Sequence, residues 1–183
     1  MKRIALFFIL PVFTATILHA QPSPQTTDEI LSAAYKEAAR DNKYVFIMFH
    51  ASWCVWCHRM DNSMNETALK KYFDDHFVIR HLVVDESKER QHEENPGADE
   101  FRKKYHGEEQ GIPFWLILDK DGKLMADSKM RPAGAGLEDP GQNVGCPASE
   151  DEVSYFIGLL KKFTKLNDEQ LEQIRKRFRE NDQ

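Results

Sequence analysis

Residues 44–60 read YVFIMFHASWCVWCHRM, and the role given to Cys54 and Cys57 decides both fold and chemistry. Tyr44–Phe49 is a continuous apolar run, too short for an independent helix and rich in strand formers, which predicts a buried central strand. The cysteines follow almost at once. Their spacing fits a CxxC redox pair, a CxxCH haem-attachment signature ending at His58, or part of a metal-ligand set.

A helix that begins near Cys54 puts that sulfur at a helix N-terminus, where unpaired backbone N–H groups and the macrodipole favour thiolate over thiol. Cys57, one turn on along the same face, is then placed to attack a mixed disulfide on Cys54 and release the product. Trp53 and Trp56 flank the pair and leave the first sulfur the more accessible. A plain stabilising disulfide explains the spacing less well. Closing a four-residue ring is worth only about 2 kcal/mol, against about 3 for a fifteen-residue loop.

A haem protein would bond both sulfurs to the porphyrin and use His58 as axial ligand, with Met60, Met64 or Met130 opposite. Such domains do not usually set the motif directly after a buried apolar strand. Zinc requires four ligands, and the chain offers Cys54, Cys57 and His58 with no second CxxC or HxxxH. His50, His76 and His81 are scattered.

Working outward, Thr26 and Glu29 form a capping box ahead of Ile30, Leu31, Ala34, Tyr35 and Ala38 at helical spacing, which predicts a helix over 27–41. The pattern is helical again from Cys54 to Met64 and through Asn65 to Phe73, with Ala68, Leu69, Tyr72 and Phe73 on one face. Phe77–Val84 is a second strand, Asp85–Asn95 a solvated charged loop, and Ala98–Tyr105 a short helix after Pro96. Ile112–Leu118 and Lys123–Ala126 are strands joined by Asp119-Lys120-Asp121-Gly122, a hairpin signal. Asp127–Pro147 is expected to be a long irregular loop. Ser149 and Glu152 cap a helix with Val153, Phe156, Ile157, Leu160 and Phe163 on its stripe, and a last helix spans about 167–180. A strand, a helix and another strand imply a parallel pair with a right-handed crossover, and the hairpin adds antiparallel partners.

The chain of 183 residues suits one domain. Lys2 and Arg3 precede an apolar run from Ile4 to Leu18, and Leu18-His19-Ala20 supplies a small residue at a cleavage position, so residues 1–20 read as a secretory signal peptide and 21–183 as the mature domain. The run is short for a membrane span and is interrupted by Pro11, Thr14 and Thr16. Without those residues 23 basic side chains face 30 acidic ones. Such a surface argues against nucleic acid, which selects clustered positive charge. An exported chain, periplasmic if Gram-negative and otherwise secreted, meets an oxidising compartment where disulfides persist. Three cysteines are too few for a stapled scaffold. Cys146 is left without an obvious mate and reads as a buried small hydrophobe.

VFIMFHASWCVWC resembles the active-site segment of the thioredoxin-like superfamily, and GIPFWLILDKDGKL resembles its later Ile-cis-Pro strand and hairpin. The resemblance covers about Lys43 to Lys162 and is strongest toward exported bacterial thiol-disulfide oxidoreductases of the disulfide-reductase type. It implies an α/β thioredoxin fold, a mixed central sheet flanked by helices, with an extra N-terminal helix and a C-terminal helical extension on a core of about 43–165. It also implies Cys54 as nucleophile, Cys57 as resolving cysteine, Trp53 packing beside the pair, and Pro113 as the cis-proline that brings Ile112 backbone groups to the disulfide, where an extended substrate adds as a strand. Thioredoxins carry a buried Asp six residues before the first cysteine and usually a Lys on the neighbouring strand. Met48 and His81 stand there instead, which makes His81 or a water the candidate proton acceptor.

The expectation is therefore an enzyme that exchanges disulfides with cysteine-containing protein substrates, with reduction favoured. It needs no bound cofactor or metal, does not stay in the membrane, and depends on a redox partner that recycles the pair. The rival class is a redox-idle binding module using the 127–147 loop, with the haem protein third.

Overall fold

The computed structural model describes residues 23–182. The signal-peptide reading of residues 1–20 lies outside them. Helix α1 (Thr27–Asp41) opens with the expected capping box, the Thr26 hydroxyl accepting from Glu29 N–H while the Glu29 carboxylate accepts from Thr26 N–H. It ends where Asn42 takes a left-handed conformation at φ 53°, a position that Asn tolerates better than most side chains.

Strand β1 (Tyr44–His50) follows and is buried from Val45 to Phe49. It pairs in parallel with β2 (Phe77–Val83) and antiparallel with β3 (Phe114–Leu118), which pairs with β4 (Leu124–Asp127) across the expected hairpin. The strand order is β2-β1-β3-β4. This mixed sheet flanked by helices is the α/β architecture read from the sequence.

Alternation along β1 and β3 sorts side chains onto two faces. Phe46, Met48, Trp115 and Ile117 join the apolar cluster built with α2 (Val55–Asn65), α3 (Lys70–Asp74), α5 (Glu150–Phe163) and α6 (Asp168–Arg179). Val45, Ile47, Phe49, Phe114, Leu116 and Leu118 face α1 and α4 (Ala98–Lys103). Both faces are covered, so β1 has no polar alternation. On the first face Phe46 stacks on Trp115 with ring centroids 5.4 Å apart, and Phe156 meets Trp115 edge-on at 5.7 Å.

Three local expectations need correction. The helical pattern through Asn65–Phe73 breaks at Glu66, whose φ of −56° and ψ of 135° end α2, and Ala68 is exposed. Only Leu69 and Phe73 of the proposed face are buried, because the turn redirects the chain before α3 begins. The Asp85–Asn95 segment is not simply solvated, since it buries Glu86 against Ser52 and contains a 3-10 turn at Gln91–Glu93. The Asp127–Pro147 segment is partly ordered. Strands β5 (Lys129–Met130) and β6 (Gln142–Asn143) pair within it, and Arg131 forks onto the buried Asp127 carboxylate with both bonds at 2.7 Å.

Candidate active site

Cys54 is the N-cap of α2. Its Sγ accepts the Cys57 backbone N–H at 3.1 Å, and its carbonyl accepts the His58 N–H at 3.1 Å. A sulfur occupies the position where a Ser or Asp oxygen more often satisfies an orphan helix donor. Cys54 and Cys57 form a disulfide with their Cα atoms 5.3 Å apart. Cys57 is wholly buried and Cys54 nearly so, at 3% exposure. Cys54 is the more exposed residue of the pair, by a small margin.

The sheet sets this geometry. Strand β1 delivers the chain through Ala51, buried beneath the turn, and the Cys54 N–H donates to Ala51 O at 3.1 Å. His58, exposed on the first turn of α2, has its Nε2 2.8 Å from Ser52 O, so it faces the turn and the two cysteine sulfurs are joined to each other. Among the described residues no group of three or more His, Cys, Asp or Glu side chains is placed to hold a metal ion.

The Ile112-Pro113 bond is cis, and Ile112 O lies 3.6 Å from Cys54 Sγ. The two segments quoted from the sequence meet here. Asn143, from β6, holds the proline loop: its Nδ2 donates to Gln110 O at 2.9 Å and to Pro113 O at 3.1 Å, and its Oδ1 accepts the Gly145 N–H at 3.1 Å. Gly145 itself is left-handed at φ 55°, with Pro113 O 3.5 Å from where a side chain would begin, so glycine suits the position. Beside the proline runs a groove of about 260 Å³ lined by Trp56, Ile112, Pro113, Val144, Gly145 and Cys146.

Trp53 and Trp56 are both largely exposed, at 58% and 45%. Trp53 is anchored by its indole N–H, which donates to Asp85 O at 2.8 Å. Trp56 carries the Arg59 guanidinium 4.6 Å above its ring centroid, an arrangement favoured by the ring quadrupole. Both rings stay at the surface, Trp53 tied to the turn after β2 and Trp56 to its own helix.

His81 sits on β2 paired in register with Met48, and Met48 packs in the same apolar cluster as both cysteines. The His81 Nε2 meets Asp61 Oδ1 at 2.8 Å, and its ring lies edge-on to His50 at 5.0 Å. Asp61 is one helical turn after Cys57 on α2. The expected proton acceptor is thus bonded to a carboxylate on the helix of the buried cysteine rather than to a sulfur. Burial, and after it the nearby His81, holds the His50 imidazole below its ordinary pKa.

Cys146 is unpaired and buried, with Asn181 Nδ2 3.4 Å from its sulfur. Burial pushes its thiol up to about 12. It lines the groove as a protonated small side chain. Sequence reading missed Asp61, Asp85, Glu86 and Asn143. Of these Asp61 carries a legible signal, since a residue one helical turn from the motif on the same helix must lie near it. No sequence signal marks Asn143.

A thioredoxin-like family model matches residues 26–120. The disulfide bond reductase DsbH of Chlamydia pneumoniae is 26% identical over 110 residues, covering 58% of this chain and 64% of that protein, less than two thirds of the relative's length. Among solved structures, a disulphide isomerase from Xylella fastidiosa Temecula1 is 19% identical at a TM-score of 0.46, covering 64% of this chain and 80% of its own. A solved DsbH oxidoreductase is 18% identical at a TM-score of 0.45, covering 83% of this chain and 94% of its own.

Proposed function

The chain belongs to the thioredoxin-like family, and from that premise we propose that it is an exported thiol-disulfide oxidoreductase working mainly as a reductase of protein disulfides. The observation that carries the reading is the placement of Cys54 as a helix cap, its sulfur 3.1 Å from the Cys57 amide and 3.6 Å from the Ile112 carbonyl. Backbone N–H groups at a helix start stabilise the thiolate that attacks, and the half-buried Ile112 segment offers a strand edge to an extended peptide.

In the dithiol state the Cys54 thiolate attacks one sulfur of a substrate disulfide, forming a mixed disulfide and releasing the other substrate sulfur as a thiolate, which takes a proton. Cys57 then loses its proton and attacks Cys54, closing the Cys54–Cys57 disulfide and freeing the second substrate thiol. Two electrons pass from the pair to the substrate. A dithiol donor must return them. His81, through Asp61, is the candidate acceptor for the Cys57 proton, since Met48 offers no base.

Ile112 and Pro113 form the floor against which substrate lies, and Trp53 and Trp56 its aromatic rim. The 21–183 chain works as a single domain after loss of residues 1–20. Among the described residues no helix is long and apolar enough to cross a membrane, and the basic residues at the N-terminus followed by an apolar run support export. The similarity to a disulfide bond reductase supports the reducing direction.

Insulin reduction with dithiothreitol tests the reading. Turnover well above a Cys54→Ser control is expected, and turnover equal to that control would identify a redox-idle scaffold.

A further inference from the structure

The segment after β2 grips the residues that precede Cys54. Strands β1 and β2 run parallel, so the turns leaving His50 and Val83 emerge at one end of the sheet. There two consecutive residues of one turn hold two consecutive residues of the other. Asp85 takes a left-handed backbone at φ 55°, and its carbonyl anchors the Trp53 indole. Its carboxylate is forked by the buried Arg102 at 2.5 and 2.9 Å. Beside it Glu86, 8% exposed, accepts the Ser52 N–H on one carboxylate oxygen at 2.6 Å and the Ser52 hydroxyl on the other at 2.8 Å. Ser52 stands two residues before Cys54.

Little nearby neutralises that carboxylate. Arg90 of the same segment is paired with Glu93, and Arg102 with Asp85 and Asp99. Glu94 brings another carboxylate, which accepts the Glu86 N–H at 2.8 Å. From β1 faces His50, whose imidazole burial holds below its ordinary pKa, and from α2 His58, bonded to Ser52 O. Burial works to raise the Glu86 carboxyl, but the two Ser52 bonds more than offset it and leave the group below its usual range. Glu86 is a fixed negative charge at the turn that leads into the cap.

We propose that Glu86 is a positioning residue that tunes the Cys54–Cys57 couple: it fixes the Ser52 turn that presents Cys54, and its charge disfavours the Cys54 thiolate, biasing the pair toward the disulfide. Like charges disfavour each other's ionised forms, and a dithiol made less stable is a stronger reductant. The inference rests on the disulfide-exchange reading and gives it a direction.

The test follows Cys54 alkylation against pH in reduced protein, together with the glutathione equilibrium, in which the disulfide and two glutathione thiols yield the dithiol and one glutathione disulfide. Glu86→Gln keeps the shape and removes the charge: its Oε1 still accepts the Ser52 N–H, and its Nε2 donates to the Ser52 hydroxyl in place of accepting from it. It is expected to lower the Cys54 pKa by about half a unit or more, and to shift the equilibrium toward dithiol by about threefold or more. Glu86→Asp keeps the charge, so its Cys54 pKa stays close to wild type even though the shorter side chain loosens the Ser52 turn, and Glu89→Gln at an exposed site of the same segment moves neither quantity. A Glu86→Gln protein indistinguishable from wild type overturns the proposal, as does an equal shift in Glu89→Gln. Wild-type protein inert toward both glutathione and insulin overturns the disulfide-exchange reading itself, a distinct result.

Discussion

The backbone N–H of Cys57 points at the Cys54 sulfur from 3.1 Å, so the amide of one cysteine caps the other. Its side chain is a separate matter. Replacing the Cys57 sulfur leaves that amide in place, and Cys54 keeps its stabilised thiolate.

Cys57→Ser is therefore expected to attack substrate disulfides normally and then stall. Insulin turnover falls to the uncatalysed rate while a mixed disulfide accumulates, visible as a mass adduct on non-reducing gels and by mass spectrometry. The Cys54→Ser protein accumulates none. Equal adduct on both variants would show that Cys54 is not the attacking sulfur.

His81→Ala removes the imidazole bonded to Asp61 at 2.8 Å. The expected outcome is a changed pH profile for Cys57 reactivity and slower closure of the intramolecular disulfide, with the first attack by Cys54 unaffected. Stopped-flow tryptophan fluorescence separates the two steps. An unchanged Cys57 profile would remove His81 from the mechanism and leave the proton to water.

Asn143→Ala frees the proline loop from its tie to β6. Loss of the bonds to Gln110 O and Pro113 O leaves partly buried carbonyls unsatisfied, a cost of about 1–3 kcal/mol measurable by denaturant unfolding. Activity on a folded protein disulfide is expected to fall more than exchange with glutathione, because only the former needs an ordered Ile112 edge. Equal losses on both substrates would argue against that role.

Cys146 gives a pH signature. Its thiol is raised from 9.0 to about 12 in the folded protein, chiefly by burial. The unfolded chain therefore releases this proton first. The stabilisation is complete below pH 9 and is lost as pH climbs toward 12, at about 1.4 kcal/mol per unit. Tyr35 and Tyr155, also raised to about 12 by burial, decline in an overlapping range. A Cys146→Ala variant isolates the cysteine: its stability relative to wild type is expected to be constant below pH 9 and to improve above it. A pH-independent difference would contradict the burial of the thiol.

The helices were legible wherever a capping box met an apolar stripe, as at Thr26-Glu29 and Ser149-Glu152, because both signals are local and independent. The strands expected over Tyr44–Phe49 and Ile112–Leu118 announced themselves by apolar runs that only a doubly covered sheet can bury, the second beginning at Phe114 after the cis-proline. Ala68 misled, since its spacing fitted a helical face that the turn at Glu66 had already ended. Glu86 and Asn143 were illegible for another reason. A Glu in a charged run and an Asn in a Gly-rich segment look solvated until their partners, Ser52 and the Gln110–Pro113 loop, are brought beside them.

Near-neighbour order along this chain settled the caps, the strands and the spacing of the two sulfurs, since each depends on contacts within a few residues. The rest came from residues far apart in the chain. Asp85 and Glu86 reach Trp53 and Ser52 from more than thirty positions away only because β1 and β2 run parallel, and Asn143 meets Pro113 only because β6 folds back across the proline loop. Polar contacts of that kind leave no periodic trace in a sequence, because each needs one donor, one acceptor and a fold that closes the distance.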